Sequence, residues 1–243
     1  NSKQKRGKAD ASGGKVFSKI AKEIMVAASG GGGNPDDNIQ LRALIQKAKG
    51  VSMPKDNIER AIKKGTGELE GGRGEEGSYE GYAAGGIAVV VKVLTDNKNR
   101  SASEVRHAFN KAGANMAEQG AVSRMFQRKG QIFIEKDGVE EEALMECVLE
   151  AGAEDLKTEG AQYEVLSDPA DYDALSDALT QAGITMASSE LAMIPDLITE
   201  VTDVDQARSI VRFIDTLEEL DDVQDVYANF DISDEVAAAL DSE

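Results

Sequence analysis

The sequence predicts an α+β protein of three domains, with a helical bundle followed by two α+β domains. Apolar residues recur with a helical period up to residue 65 and in strand-like runs beyond residue 77. Residues 131–194 then alternate strands and helices in the order βαββαβ, which is the ferredoxin-like plan. The charge also changes sign along the chain. A length of 243 residues suits two or three domains.

The N-terminal part predicts three short helices. Their apolar stripes are, in chain order, Phe17, Ile20, Ala21, Ile24 and Ala28; Leu41, Leu44, Ile45 and Ala48; and Ile58, Ala61 and Ile62. Glycines 30–33 end the first helix, Pro54 begins the third and Gly65 ends it. Helices this short are marginal alone, so we expect a bundle. Residues 65–77 are rich in Gly and Glu without an apolar period, which predicts a mobile linker.

The period changes beyond this linker. Ile87–Leu94 predicts a buried strand, and the pair Ser101 and Glu104 predicts a capping box that opens a helix. Ala121–Phe126 predicts the next strand, and Gln127–Gly130 a basic turn. A last strand, helix and strand are predicted over 197–201, 204–220 and 223–228.

These elements predict the domain boundaries. We expect a basic helical domain over residues 1–73, with its linker over 65–77. A discontinuous α+β domain combines residues 78–130 with 196–243. An acidic ferredoxin-like domain, residues 131–195, is inserted between its halves.

The net charge of −18 is unevenly distributed. Residues 1–73 hold 15 Lys and Arg against 8 Asp and Glu, a balance of +7, and residues 74–130 hold 8 against 6, or +2. Residues 131–243 hold 4 against 31, or −27. A phosphate backbone attracts the first segment and repels the last, which favours nucleic-acid binding by the N-terminal domain.

Several phrases resemble the YebC/PmpR family, in order and nearly end to end. They are Gly14–Lys19, Met53–Gly65, Tyr79–Tyr82, Leu94–Arg100, Glu104–Phe109, Leu149–Asp155 and Asp221–Tyr227. The resemblance implies a helical N-terminal domain and two α+β domains. It also implies a regulatory role: bacterial members are mostly described as DNA-binding transcriptional regulators, whereas mitochondrial relatives act in translation and some bacterial members are linked to the ribosome. Relatives usually carry basic residues where Ser12 and Gly13 stand, which weakens that part of the expected basic surface.

The basic side chains of the N-terminal domain are the candidate phosphate contacts. They are Lys3, Lys5, Arg6, Lys8, Lys15, Lys19, Lys22, Arg42, Lys47, Lys55, Arg60, Lys63 and Lys64. The alternative is a solvated helix surface, which is the commoner fate of Lys and Arg. No set of base-reading residues at helix-turn-helix spacing is evident, so backbone contacts are the expectation.

A second candidate anion site is predicted where a strand meets a helix. It comprises Lys98, Asn99, Arg100 and Arg106 beside the expected helix N-terminus, whose free N–H groups attract anions. The alternative is that Asp96 and Asn97 form a tight turn and that Arg100 pairs locally.

Catalysis has little support in the sequence. His107 is the only histidine and Cys147 the only cysteine, and we expect a surface residue and a small apolar residue, respectively. Carboxylates abound in 215–225, so no single pair is informative; a metal-dependent nuclease is a remote alternative. We predict no enzyme activity, no metal site and no cofactor.

DNA is the predicted partner, with RNA or the ribosome as the alternative. The acidic domains favour solvent or a basic protein partner. No apolar stretch is long enough for a membrane span, and a single cysteine suits a reducing compartment, so we expect a cytoplasmic protein without a membrane partner. The chain begins at Asn1 without a methionine, and we expect a short leading segment.

Overall fold

The computed structural model describes residues 13–71 and 74–243, and it shows the mixed α+β fold that the sequence predicts. The chain divides into two compact units. The first comprises the residues up to Ser123 together with Ile198–Glu243, and the second comprises Arg124–Leu197. No helix among the described residues combines the length and apolarity that crossing a membrane requires.

Within the described residues, the helices are α1 Gly13–Gly31, α2 Ile39–Gly50, α3 Lys55–Gly65, α4 Lys98–Lys111, α5 Glu141–Glu150, α6 Tyr172–Gln181, α7 Val204–Glu219 and α8 Asp234–Asp241. The strands are β1 Glu75–Ala83, β2 Ile87–Thr95, β3 Asn115–Ala117, β4 Phe126–Glu135, β5 Ala153–Lys157, β6 Gln162–Ser167, β7 Ser188–Pro195, β8 Thr199–Val201, β9 Val223–Ala228 and β10 Phe230–Ile232.

Helices α1, α2 and α3 form the predicted bundle at the start of the first unit. Their core contains the predicted stripes except Ala28, together with Ala27 and Met53, and its buried members are Ile20, Ile24, Ala27, Leu41, Ala48, Met53, Ile58 and Ala61. This core shares no residue with the core of the sheet in the same unit. The bundle therefore has an apolar interior of its own.

Asn38 fixes the turn between α1 and α2. Its Oδ1 accepts a hydrogen bond from the Leu41 N–H at 3.1 Å, which caps α2. Its Nδ2 donates to the carbonyl oxygens of Ala27 and Gly32, at 2.9 Å each, at the end of α1. One buried amide thus satisfies backbone groups at both helix ends.

The sheet of the first unit has the strand order β3-β1-β2-β9, with every neighbouring pair antiparallel. Its core contains residues of α4, α7 and α8 as well as of β2 and β9. The rings of Phe109 and Phe213 meet edge to face, with centroids 4.8 Å apart, and join α4 to α7. Strands β8 and β10 form a separate parallel pair.

The second unit confirms the ferredoxin-like order. Strands β4, β5, β6 and β7 alternate with α5 and α6 as βαββαβ, and the sheet has the antiparallel order β5-β6-β4-β7. Its core includes Ile132, Leu144, Val165, Leu175 and Leu179. The helices cover one face of the sheet through these residues.

Four local predictions were wrong. The linker expected over 65–77 ends earlier, because β1 begins at Glu75 and pairs with β2 along its whole length. Helix α4 begins at Lys98 with Asn97 as its cap, so Ser101 lies inside the helix and is no cap. The strand expected over 121–126 and the turn expected over 127–130 are replaced by a 3-10 turn at 123–125 and by β4, whose pairing with β7 extends to Phe126.

Gly81 permits the close approach of three elements. A Cβ at this position would lie 2.3 Å from the Asn115 carbonyl oxygen on β3 and 2.4 Å from a ring carbon of Phe109. We expect Gly81→Ala to lower the free energy of unfolding by about 2 kcal/mol, because backbone and a packed ring must move. Urea unfolding followed by circular dichroism measures this change.

Gly50→Ala is the matched control, because its Cβ would meet no atom within 4 Å and the residue ends α2. Its stability should be unchanged or slightly higher, since Ala favours helices. Equal stability of the Gly81→Ala chain and the parent chain would contradict the packing described for Gly81.

Candidate nucleic-acid interface

The outer face of α3 carries three basic side chains. Ile58 and Ala61 face the bundle core, and the helical period places Arg60 and Lys63 on the opposite side and Lys64 beside them on the flank of the helix. Arg60 and Lys63 are exposed and Lys64 is half-buried. None of the three forms an ion pair with the part of the chain that the structure describes. They are therefore available to an external anion.

Helix polarity gives part of the reason for these positions. Lys63 and Lys64 lie in the last turn of α3, as Lys47 and Lys49 do in α2, where cations compensate the negative end of the helix dipole. This local effect is modest at an exposed site. It explains the position of these lysines along the helices, but not that of Arg60.

The other candidates on α2 and α3 differ in their contacts. Arg42 is exposed on α2. Lys47 forms an ion pair with Glu23 of α1 at 3.4 Å. Lys55 lies 3.8 Å from Glu59, one turn further along α3. Surface ion pairs of this kind contribute little to stability, so a phosphate can readily replace the carboxylate as the partner of the lysine.

Lys19 and Lys22 of α1 contact the backbone near the end of α7. The Lys22 ammonium donates to the Asp221 carbonyl oxygen at 2.8 Å and lies 3.2 Å from Asp222 Oδ1. Lys19 donates to the carbonyl oxygen of Glu218, near the end of α7. Both side chains thus connect α1 to the sheet domain, and a phosphate would have to compete with these contacts.

Five further candidates lie beyond the side chains that the structure describes. Lys3, Lys5, Arg6 and Lys8 are outside the described residues. Lys15 belongs to α1, but its side chain is outside them as well.

The Asp222 carboxylate accepts hydrogen bonds from residues of three secondary-structure elements. It accepts from Thr95 at the end of β2 (3.1 Å), from Ser101 (2.7 Å) and Arg100 in α4, and from Lys22 in α1. Arg100 contributes two of these bonds, from Nε at 3.1 Å and from Nη2 at 2.9 Å. Asp222 is only 2% exposed, so the carboxylate depends on these donors to remain charged.

The donors reverse the usual effect of burial on this carboxyl group. Burial raises the pKa of Asp222, but hydrogen bonds from Arg100, Ser101 and Lys22 outweigh it and hold that pKa well below its usual range. The same bond to Asp222, together with one to Asp96, raises the pKa of the Arg100 guanidinium. Asp222 and Arg100 thus both remain charged through the physiological pH range.

The second candidate anion site surrounds this cluster. Arg100 is held by Asp222 and by Asp96 at 2.7 Å, and Lys98 lies 2.7 Å from Glu75. Asn99 and Arg106 are exposed on α4. The guanidinium of Arg100 therefore already has two carboxylate partners, and anion binding at this site stays a prediction.

Sequence reasoning missed Asp222 and Glu80. The buried Glu80 carboxylate accepts hydrogen bonds from the backbone N–H groups of Gly120 (2.7 Å), Val122 (2.8 Å) and Ser123 (2.6 Å). Burial raises the pKa of Glu80, but these donors outweigh it and the pKa lies below its usual value. These hydrogen bonds therefore hold the loop after β3 in place. The inward position of Glu80 was not predicted, because strand β1, to which Glu80 belongs, was not predicted.

Candidates for catalysis remain scattered. His107 is exposed on α4, and the Cys147 thiol is half-buried on α5, 3.9 Å from the Ala178 carbonyl oxygen. Within residues 13–71 and 74–243, no group of three His, Cys, Asp or Glu side chains is arranged to hold a metal ion.

Comparison with known proteins identifies the family. Residues 1–68 match the family model described as the TACO1/YebC protein N-terminal domain, and residues 74–230 match the TACO1/YebC second and third domain. The chain belongs to the TACO1/YebC family. This match confirms the family resemblance that was inferred from the sequence.

Individual proteins match over almost the whole chain. A "probable transcriptional regulatory protein" of Geobacter sulfurreducens is 54% identical over 233 residues, covering 96% of this chain and 94% of its own. A protein of the same description from Desulforapulum autotrophicum is 51% identical, covering 98% and 96%. The crystal structure of a conserved hypothetical protein from Aquifex aeolicus is 44% identical, with a TM-score of 0.85 over 93% of both chains.

Replacing the Asp222 carboxylate should lower the stability of the first unit. Asp222→Asn removes the negative charge facing Arg100 and Lys22, and breaking such a buried pair costs about 3 kcal/mol. We expect a lower melting temperature at neutral pH by circular dichroism. Because the pKa of Asp222 is lowered on folding, its stabilisation is present above the unfolded pKa of about 4 and is lost as the pH falls below it. The difference from the parent chain should therefore shrink in acid.

Asp221→Asn is the control, because Asp221 is exposed and adjacent. It should melt as the parent does. A neutral-pH melting temperature of Asp222→Asn equal to that of the parent would refute the role given to this carboxylate.

Proposed function

We propose that this protein is a DNA-binding regulator of gene expression that acts by binding and not by catalysis. The helical bundle contacts the phosphate backbone through α2 and α3. The observation that carries the proposal is the outer face of α3, where Arg60, Lys63 and Lys64 have no ion-pair partner among the described residues. Phosphate is the natural ligand of such a face.

The charge distribution supports this assignment of the bundle. The first 73 residues carry +7, the next 57 carry +2 and the last 113 carry −27, so the N-terminal part attracts a polyanion most strongly and the last part repels it. The acidic part limits the orientations in which the protein approaches nucleic acid. Electrostatic contact then favours the bundle, whichever sequence is bound.

Backbone contact is the mode of binding that the bundle supports. The exposed groups on α2 and α3 include Lys and Arg, which neutralise phosphates, and no helix-turn-helix set of base-reading residues accompanies them. Sequence preference would then arise from the shape and deformability of the duplex. The names of the relatives, which describe probable transcriptional regulators, support regulation as the outcome of binding.

The cluster at the start of α4 is a secondary contact in this proposal. Asn99 and Arg106 are exposed and seven residues apart, so they lie on one face of α4. Lys98 can contribute after leaving Glu75, to which it is paired at the surface. Arg100 is bonded to the buried Asp222 carboxylate. The negative charge of that carboxylate weakens the attraction of Arg100 for a phosphate.

Removing the outer face of α3 should weaken DNA binding. We expect the triple variant Arg60→Ala, Lys63→Ala and Lys64→Ala to bind a labelled duplex about tenfold less tightly at moderate salt. The slope of log affinity against log salt should flatten by about 0.9 for each phosphate that the variant no longer neutralises. Fluorescence anisotropy over a salt series measures both quantities.

The matched control removes three exposed basic residues elsewhere, as Lys111→Ala, Arg124→Ala and Arg128→Ala. An equal loss of affinity in both triple variants would mean that net charge alone governs binding. An unchanged salt slope in the α3 variant would exclude this helix. A structured RNA duplex serves as the competitor, and tighter binding to it than to DNA would favour a ribosome-associated role.

A further inference from the structure

The second unit carries a groove between its two helices. The groove consists of two adjoining cavities of about 560 Å³ each, which share Ala143, Cys147 and Ala182 as lining residues. Ala178 of α6 and Ala151 after α5 also line it. Small side chains on both helices leave an open, shallow space between them, so the floor of the groove is formed by alanines and Cys147.

Carboxylates surround this apolar floor. Glu146 and Glu150 of α5 line one cavity, and Glu135, Asp137 and Glu140 line the other, with no Lys or Arg among the lining residues of either. The sequence holds no basic residue between Lys136 and Lys157, or between Lys157 and Arg208. Both helices therefore lack any positive charge that could neutralise this rim.

The arrangement of these carboxylates argues against a single ion as the ligand. Among the described residues, no three acidic, His or Cys side chains converge to hold a metal. The carboxylates are instead distributed along the groove. A ligand that satisfies them must carry several separated positive charges, and a nucleic acid is repelled.

We propose that this groove binds a Lys- and Arg-rich helical segment of a partner protein, with a small apolar residue of the segment on the alanine floor. The charges of the groove and the segment are complementary, and the apolar floor adds a contact that a merely solvated acidic surface lacks. Arginine suits the rim best, because its planar guanidinium can bind a carboxylate through two hydrogen bonds. This site is separate from the basic bundle and does not depend on the proposed DNA binding.

A synthetic helical peptide of Arg, Ala and Leu, with its Arg residues on one face, tests the groove on the full chain. Its binding is measured by fluorescence anisotropy. Glu146→Gln with Glu150→Gln should weaken binding about tenfold, whereas Glu141→Gln with Glu142→Gln removes the same charge from the same helix outside the lining and should have a smaller effect.

Ala178→Gln separates the groove from diffuse acidity, because it fills the floor without changing the charge. We expect it to weaken peptide binding about tenfold. All variants should retain the circular dichroism spectrum and duplex DNA binding of the parent chain.

Two results would overturn the proposal. One is equal peptide affinity for the parent chain and Ala178→Gln, or equal losses of affinity in the two glutamine pairs, which would leave only general electrostatic attraction. The other is much tighter peptide binding after deletion of residues 1–12, which would mean that the chain's own basic segment fills the groove.

Discussion

The buried carboxylate of Asp222 is the interaction on which the first unit depends. It lies just before β9 and holds the end of β2 through Thr95, the start of α4 through Arg100 and Ser101, and α1 through Lys22. A buried charge is costly unless donors surround it, so this site fixes the positions of all its donors at once. Since the bundle and the sheet have separate apolar cores, polar contacts such as these define how α1 meets the sheet domain.

The same contacts divide the basic residues of the bundle into two groups. Lys19 and Lys22 are engaged by α7 and the residues after it, whereas Arg60, Lys63 and Lys64 remain on the outer face of α3. The position of a residue on its helix, more than its charge, therefore decides whether it can meet a phosphate. The acidic second unit adds a complementary constraint, because its helices carry no Lys or Arg and repel nucleic acid.

Much of the fold was predictable because apolar periodicity is local. The stripes of α1, α2 and α3, the run in β2 and the βαββαβ series all follow from it. Strand β1 was not predictable, since its Gly- and Glu-rich sequence is a strand only through its pairing with β2. Asp222 and Glu80 were missed for a related reason: each is one carboxylate among many in the sequence, and only long-range packing buries it. The candidate phosphate contacts were predictable because they are Lys and Arg residues. The sequence did not predict that Lys19 and Lys22 contact α7 and the residues after it.

Ultraviolet crosslinking in living cells, followed by mass spectrometry of the crosslinked peptides, reports which part of the chain touches nucleic acid. The same experiment distinguishes DNA from RNA. If the bundle is the nucleic-acid interface, DNA adducts will lie on its peptides, with α3 the most heavily modified, and none will lie on residues 131–197. Adducts concentrated on the second unit, or a bundle free of nucleic acid, would contradict this assignment.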